Sequence, residues 1–212
     1  MDIFITGANR GIGAAMHRQL GARGETVTGT AREPQGDLVA ADVTDAASLQ
    51  NALSQVDGLD LLICNAGVYL DKGHEIGNGY APDDWARTFA TNVTGVYLTI
   101  EAALPALRTR GGKIAIISSQ MGSSARAGGN GLIYRASKAA ALNLGRNLAV
   151  ALEPDGIAVG IYHPGWVRTD MGGSNADISE EESATGLISR FDALSMDTTG
   201  CFEMWNGTEM PF

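Results

Sequence analysis

The chain opens with a short apolar run, DIFIT at 2–6, that leads directly into a glycine-rich turn, TGANRGIG at 6–13. Beyond the turn, apolar side chains recur at Ile12, Ala15, Met16 and Leu20, the spacing of one helix face, and Gly24 closes that helix. A strand, a tight glycine turn and a helix in this order begin a βαβ unit, and a parallel sheet is the architecture that uses such units. The turn also has a chemical reading. Glycine accepts positive φ and lets backbone approach an anion closely, while the helix start offers free N–H groups and the positive end of its dipole. Gly7, Gly11 and Gly13 stand where a dinucleotide's phosphates would pass. Alone, the same glycines equally suit a turn that only packs a helix on a strand.

Strand-like and helix-like segments go on alternating. ETVTGTA at 25–31, DLVAA at 37–41, a run within LDLLICNAG at 59–67, KIAIISS at 113–119, a run within IAVGIYHPG at 157–165 and GCFEM at 200–204 read as strands. Segments near 45–55, 82–108 and 134–152 read as helices, with Gly95 and Pro105 as points of bending or interruption in the second. The polar stretch from Gly172 to Ser183 reads as a loop or short helix at a cleft margin. Near-continuous apolar strands such as DLLIC suit a parallel sheet covered on both faces. The expected fold is α/β: one domain over 1–212 with a doubly wound parallel sheet and helices on both faces. One link breaks the pattern. Only 32–36 separate the second and third strands, too few for a crossover helix, so an abbreviated crossover is expected.

Composition narrows the function classes. A chain of 212 residues with 44% apolar and 18% charged residues has enough to bury a large core, which argues against disorder. A formal charge of −9 repels a nucleic-acid backbone on average, although local arginines can still hold a nucleotide's phosphates. No apolar run reaches membrane-spanning length, no signal peptide precedes the first strand, and Cys64 and Cys201 make no disulfide framework. The expectation is a cytoplasmic, reducing compartment, with neither membrane nor nucleic acid as partner. His17, His74 and His163 belong to no zinc-type constellation, so no catalytic metal is expected.

Two further groups of residues carry chemistry. Near the glycine turn, the second strand ends in Thr30-Ala31 without the acid that would hold an NAD ribose, and Arg10 and Arg32 offer guanidinium groups suited to a 2′-phosphate. That favours NADP(H), with NAD(H) still possible. Asp42 can accept from an adenine amine or cap the next turn, and Asn65 and Gly67 border the same cleft, Asn65 also being explicable as a structural residue in left-handed geometry. Further along, Tyr134 and Lys138 in YRASK are four apart and share a helix face. A phenol is a poor base at neutrality, but a neighbouring ammonium and the positive charge of an oxidised nicotinamide both favour phenolate, and in reduction the same phenol can donate its proton. Ser119, the second of a serine pair, can polarise a carbonyl oxygen, and Asn92 in TNVTG can hold a water linked to the lysine. Pro164 and Gly165 end a strand where the backbone can run along a nicotinamide, with Thr169 bonding its carboxamide or a phosphate.

In order along the chain, TGANRGIG, CNAG, TNVTG, ISS, YRASK and HPGWVRT resemble the short-chain dehydrogenase/reductase family, and the SSQMGS, YRASKAAALN and GTEMPF segments resemble its C-factor-like and sniffer-like carbonyl reductase branch. The resemblance implies a Rossmann sheet and Asn92, Ser119, Tyr134 and Lys138 as the catalytic group. It also implies Gly7, Arg10, Gly11, Ile12, Gly13, Arg32, Asp42, Val43, Asn65, Ala66, Gly67, Tyr134, Lys138, Pro164, Gly165, Val167 and Thr169 near the cofactor. Two departures stand out. Fifteen positions separate Ser119 from Tyr134, more than is usual in the family, and GGNG at 128–131 is expected to bulge. The region after Met171 is short, which implies an open substrate pocket bordered by Met121, Arg126, Trp166 and Met171. The reading that results is NADPH-dependent reduction of a small aldehyde or ketone. Its alternatives are NAD-linked oxidation of an alcohol and a cofactor-binding regulator with little turnover. Relatives in the family imply a homodimer or homotetramer, and the apolar helices at 86–107 and 139–152 are candidate interfaces.

Overall fold

The computed structural model describes residues 1–212. Its strands are β1 (Asp2–Thr6), β2 (Thr26–Ala31), β3 (Val39–Ala40), β4 (Leu61–Cys64), β5 (Lys113–Ile117), β6 (Ala158–His163) and β7 (Phe202–Met204). They form one sheet in the order β3-β2-β1-β4-β5-β6-β7, and every neighbouring pair is parallel. The helices are α1 (Gly11–Ala22), α2 (Ala46–Leu53), α3 (Pro82–Phe89), α4 (Gly95–Arg110), α5 (Leu132–Ala151) and α6 (Glu180–Ala193).

The period of two along each strand divides the core into two layers. Phe4, Leu62, Cys64, Ile114, Ile116, Val159 and Ile161 pack with Leu49 of α2, Ile100 and Leu107 of α4, and Leu142 of α5. Their sequence neighbours Ile3, Ile5, Leu61, Ile63, Ala115, Ile117 and Tyr162 face the other way, onto Ala15, Met16 and Leu20 of α1 and Ala184, Leu187 and Phe191 of α6. This is the doubly wound sheet expected from the apolar runs. Truncating a large side chain in either layer, as in Ile63→Ala, would cost about 2–5 kcal/mol.

Strand order reverses between β1 and β4, and the carboxyl ends of these strands open the crevice where such sheets bind ligands. The abbreviated crossover has a simple geometry. Only Thr30 and Ala31 pair with β3, through Val39 and Ala40, so the chain need not travel back the length of β2. For the same reason β3 is shorter than the expected 37–41.

Three further expectations are corrected. The segment 82–108 stays helical, but Ala90–Thr94 forms a π-helical turn between α3 and α4. Gly95 does not break it: there α4 approaches Val43 so closely that an added Cβ would lie 2.9 Å from Val43 Cγ2. Pro105 sits inside α4 without ending it. Finally, 172–183 is not merely a cleft margin, because Ser179 starts α6. Its hydroxyl accepts from Glu182 N–H while the Glu182 carboxylate accepts from Ser179 N–H, a complete capping box.

Candidate active site

The glycine turn sits at the carboxyl end of β1 and hands the chain to α1. Gly7 and Gly11 have φ of 71° and 58°, values that side chains resist. Gly13 is fixed by packing, since a Cβ there would overlap the Gly7 carbonyl and come within 2.5 Å of Asn65 Nδ2. Asn65 ties β4 to this turn by donating from Nδ2 to the carbonyls of Thr6 and Gly7, each at 3.0 Å. The Thr6 hydroxyl in turn accepts from the N–H groups of Asn65 and Ala66 at 3.1 Å. Asn65 is therefore a strut, as one reading held, but not in left-handed geometry, for no residue other than glycine has positive φ.

Arg10 occupies the N-cap of α1 in extended conformation, its side chain makes no cap, and no acidic residue stands in the first turn. The leading N–H groups thus have no side-chain cap, the Glu180 carboxylate lies 3.9 Å from where a Cβ on Gly11 would sit, and Ile12 sits half-buried in that turn. A cradle of this form fits a pyrophosphate. Arg32 is exposed just after β2 near Asp42, whose carboxyl is held low by the N–H and then the hydroxyl of Thr44, with Arg32 adding a smaller attraction. Asp42 accepts both Thr44 groups, at 2.9 and 2.7 Å, so the turn-capping alternative is realised. Val43 is buried under α4. Arg10 instead bridges to Asp170 at 2.8 Å, with both side chains mostly exposed.

The segment after β6 closes the crevice from above. The Pro164 carbonyl accepts from the Ser183 hydroxyl at 2.6 Å, and Gly165 has φ of 92° and packs on Ile178 and Trp205. Val167 is buried and bridges to Ile178. Thr169 Oγ1 accepts from Gly172 N–H at 3.0 Å, and its methyl group approaches Gly11. Lys72 donates to the Met171 carbonyl at 3.0 Å and Trp166 to that of Gly172 at 3.0 Å, so the loop is shorter yet braced.

At the other end of the crevice, α5 presents Tyr134 and Lys138, 8% and 5% exposed. Lys138 Nζ donates to the Ile117 carbonyl at 2.8 Å and lies 5.7 Å from the Tyr134 ring centre. Ser118 anchors the same helix by donating to the Lys138 carbonyl at 3.0 Å. Burial pushes the Tyr134 phenol up, and the Ser119 hydroxyl beside it works in the opposite direction. Burial also pushes Lys138 down to about 8. Among the protein's own groups burial is the largest influence on the phenol and favours its neutral form; the phenolate expected from the sequence depends on the ammonium and an oxidised nicotinamide together. His163, buried and pushed down to about 4, is neutral.

Asn92 lies in the π-helical turn and is fully buried. It bonds both ways with the Val68 backbone, accepting at 2.8 Å and donating at 2.9 Å, and donates again to Ser137 Oγ at 3.0 Å. Its Oδ1 and Lys138 Nζ lie 3.4 and 3.5 Å from the point where a Cβ on Gly67 would sit. Gly67 is what leaves room between them. The long link from Ser119 to Tyr134 is taken up by short 3-10 turns at Gln120–Gly122 and Ser124–Arg126 and by a loop through GGNG, which keeps Ser119 against Tyr134. Two neighbours escaped the sequence reading. Tyr69 stacks on Tyr134 with ring centres 4.3 Å apart, and Asp71 is buried at the start of α5. Their only sequence signal was their place a few residues beyond CNAG.

This geometry and the comparisons agree. Residues 2–179 match the model of the short chain dehydrogenase family, and the chain belongs to that family, whose members are NAD(P)-dependent oxidoreductases of alcohol and carbonyl groups. It is 33% identical to 1-hydroxy-2-glutathionyl-2-methyl-3-butene dehydrogenase of Rhodococcus sp. (strain AD45), over 97% of each chain. Among solved structures it is similar to an NADPH-bound carbonyl reductase from chicken fatty liver, at 33% identity and a TM-score of 0.91 over 100% of this chain and 98% of the other. It is also similar to carbonyl reductase Sniffer of D. melanogaster, at 25% identity and a TM-score of 0.93 over 100% and 99%.

Proposed function

We propose that the protein reduces a small aldehyde or ketone to an alcohol with NADPH, and that Tyr134 is the proton donor. The observation that carries this reading is a buried phenol set beside Ser119 and Lys138 at one end of a crevice whose other end is an uncapped glycine turn. NADPH, when bound, supplies hydride to the carbonyl carbon. Tyr134 gives its proton to the carbonyl oxygen, so that hydride and proton together account for the alcohol. Ser119 donates a hydrogen bond to the same oxygen and stabilises charge as it develops. Lys138 favours the phenolate left behind, and Asn92, through the free lone pair of Oδ1, holds water on the path by which the phenol is reprotonated. Gly7, Gly11, Gly13 and the start of α1 receive the pyrophosphate, and Arg32 and Arg10 the 2′-phosphate.

Replacing Tyr134 with Phe removes the proton and nothing else of size. Turnover should fall by about 10²–10⁴-fold while NADPH affinity stays within about twofold. Full activity in that variant across a responsive panel of carbonyl compounds would falsify the assignment. We also read the chain as a cytoplasmic homodimer or homotetramer, on the strength of free thiols at Cys64 and Cys201 and of Tyr97 and Val150 exposed on α4 and α5. Sedimentation as a monomer would remove the assembly.

A further inference from the structure

We propose that Asp71 is the positioning residue for Tyr134, capping the first turn of α5 from a different loop and so fixing the phenol; this rests on the reading of Tyr134 as proton donor. Tyr134 is the third residue of α5, which begins at Leu132. It therefore stands in the turn whose N–H groups have no partner inside the helix and where helices fray first. A side chain at the N-cap normally accepts from these groups. Here the N-cap is Gly131, at φ 58°, which has no side chain to offer. The loop leading to it adds a second positive-φ glycine, Gly129, so the preceding chain does little to restrain the turn.

Asp71 supplies the missing acceptor from the segment that follows β4. One carboxylate oxygen accepts from Ile133 N–H at 2.7 Å and the other from Tyr134 N–H at 3.2 Å. The side chain is wholly buried, and none of the ion pairs in the molecule includes it. Its neighbour Lys72 turns away to the Met171 carbonyl. A buried carboxylate without a cation is unfavourable unless hydrogen bonds and dipoles compensate it. The two N–H groups and the positive end of a 20-residue helix do so here. The chemistry of the group matters, because a carboxylate offers an acceptor to both N–H groups, whereas an amide of the same shape offers one and turns hydrogens toward the other.

The same segment also holds the ring. Tyr69, two residues before Asp71, lies on the Tyr134 ring at 4.3 Å and 18° from parallel. Asp71 thus fixes the backbone from which the phenol projects, and Tyr69 fixes its plane. Lys138 is one turn deeper and is held separately by the Ile117 carbonyl, so it does not depend on this tether. Loss of the carboxylate should reach the proton donor and leave the lysine and the glycine turn in place.

The experiment compares wild type, Tyr134→Phe, Asp71→Asn and Asp71→Ser in carbonyl reduction by NADPH, with cofactor affinity from fluorescence titration and folding from circular dichroism. Asp71→Asn should lower kcat by about tenfold or more, since a displacement near one ångström is enough for such losses. KM for the carbonyl compound and the NADPH dissociation constant should stay within about twofold. Asp71→Ser, whose shorter side chain leaves both N–H groups unmet, should lose more. An inactive Tyr134→Phe beside a full-rate Asp71→Asn overturns the positioning role alone. A fully active Tyr134→Phe removes the underlying reading and the positioning role with it. Parallel loss of kcat and cofactor affinity, or failure of both Asp71 variants to fold, also overturns the proposal, because the carboxylate would then serve the whole fold and not the phenol.

Discussion

The two ends of the crevice are built from different materials. At the end proposed to take the phosphates the groups are backbone: the N–H groups at the start of α1, a turn shaped by Gly7 and Gly11, and a helix seated on it at Gly13. At the end proposed for the chemistry they are buried side chains, Tyr134, Lys138, Ser119 and Asn92, held by bonds from β5, the residue after it, the segment after β4 and the π-helical turn. Backbone geometry tolerates change in most side chains around it but none at a few positions. Side-chain chemistry depends on each group's solvation and on what grips it. Substitutions should therefore fail differently at the two ends.

The largest effect expected from testing that contrast is at Gly13. Gly13→Ala drives a methyl into a backbone carbonyl that cannot swing aside, so it should destabilise the fold by about 1–3 kcal/mol and weaken NADPH binding as well. Thermal unfolding with and without NADPH measures both, and an unchanged melting temperature would erase the distinction drawn here. Next comes pH. Lys138 is pushed down to about 8, so its ammonium is present below that value and is lost as pH rises through it. If the ammonium supports proton donation, kcat/KM for reduction should be flat below about pH 8 and then fall, approaching tenfold per unit. A profile level to pH 10 would mean that the lysine's charge is not needed. The smallest effect belongs to Arg32. Its removal in Arg32→Ala should shift the NADPH-to-NADH preference about fivefold to tenfold toward NADH, the scale of one charge-assisted contact at an exposed site. Paired titrations with the two cofactors read this directly, and an unaltered ratio would move the selectivity elsewhere.

The same contrast explains what the sequence could and could not reveal. Glycine spacing and apolar alternation report on backbone, and they located β1, α1 and the sheet with small errors at the ends. Tyr134 and Lys138 were legible because a helix repeats every 3.6 residues and four positions bring them onto one face. Asp71 and Tyr69 were not, because they meet Tyr134 across more than sixty residues and no local period marks the contact. The π-helical turn was hidden for a related reason: Ala90–Thr94 continues a helical pattern, and only the tertiary setting of Asn92 distinguishes it. α6 is a different case. Its capping box, Ser179 with Glu182, was readable in the sequence, but the polar composition around it masked a helix whose inner face holds Leu187 and Phe191. The burial of Tyr134 was not legible either, because charge proximity can be read from spacing, whereas desolvation depends on the finished core.

The ion pair between Arg10 and Asp170 joins segments 160 positions apart in the chain. Pairs this exposed contribute only about 0–1 kcal/mol and are screened by salt. The entrance is in effect hooked rather than bolted. An arriving anion need displace only one carboxylate to reach that guanidinium, because the bonds of Lys72, Trp166 and Thr169 that brace the neighbouring loop do not involve Arg10 or Asp170.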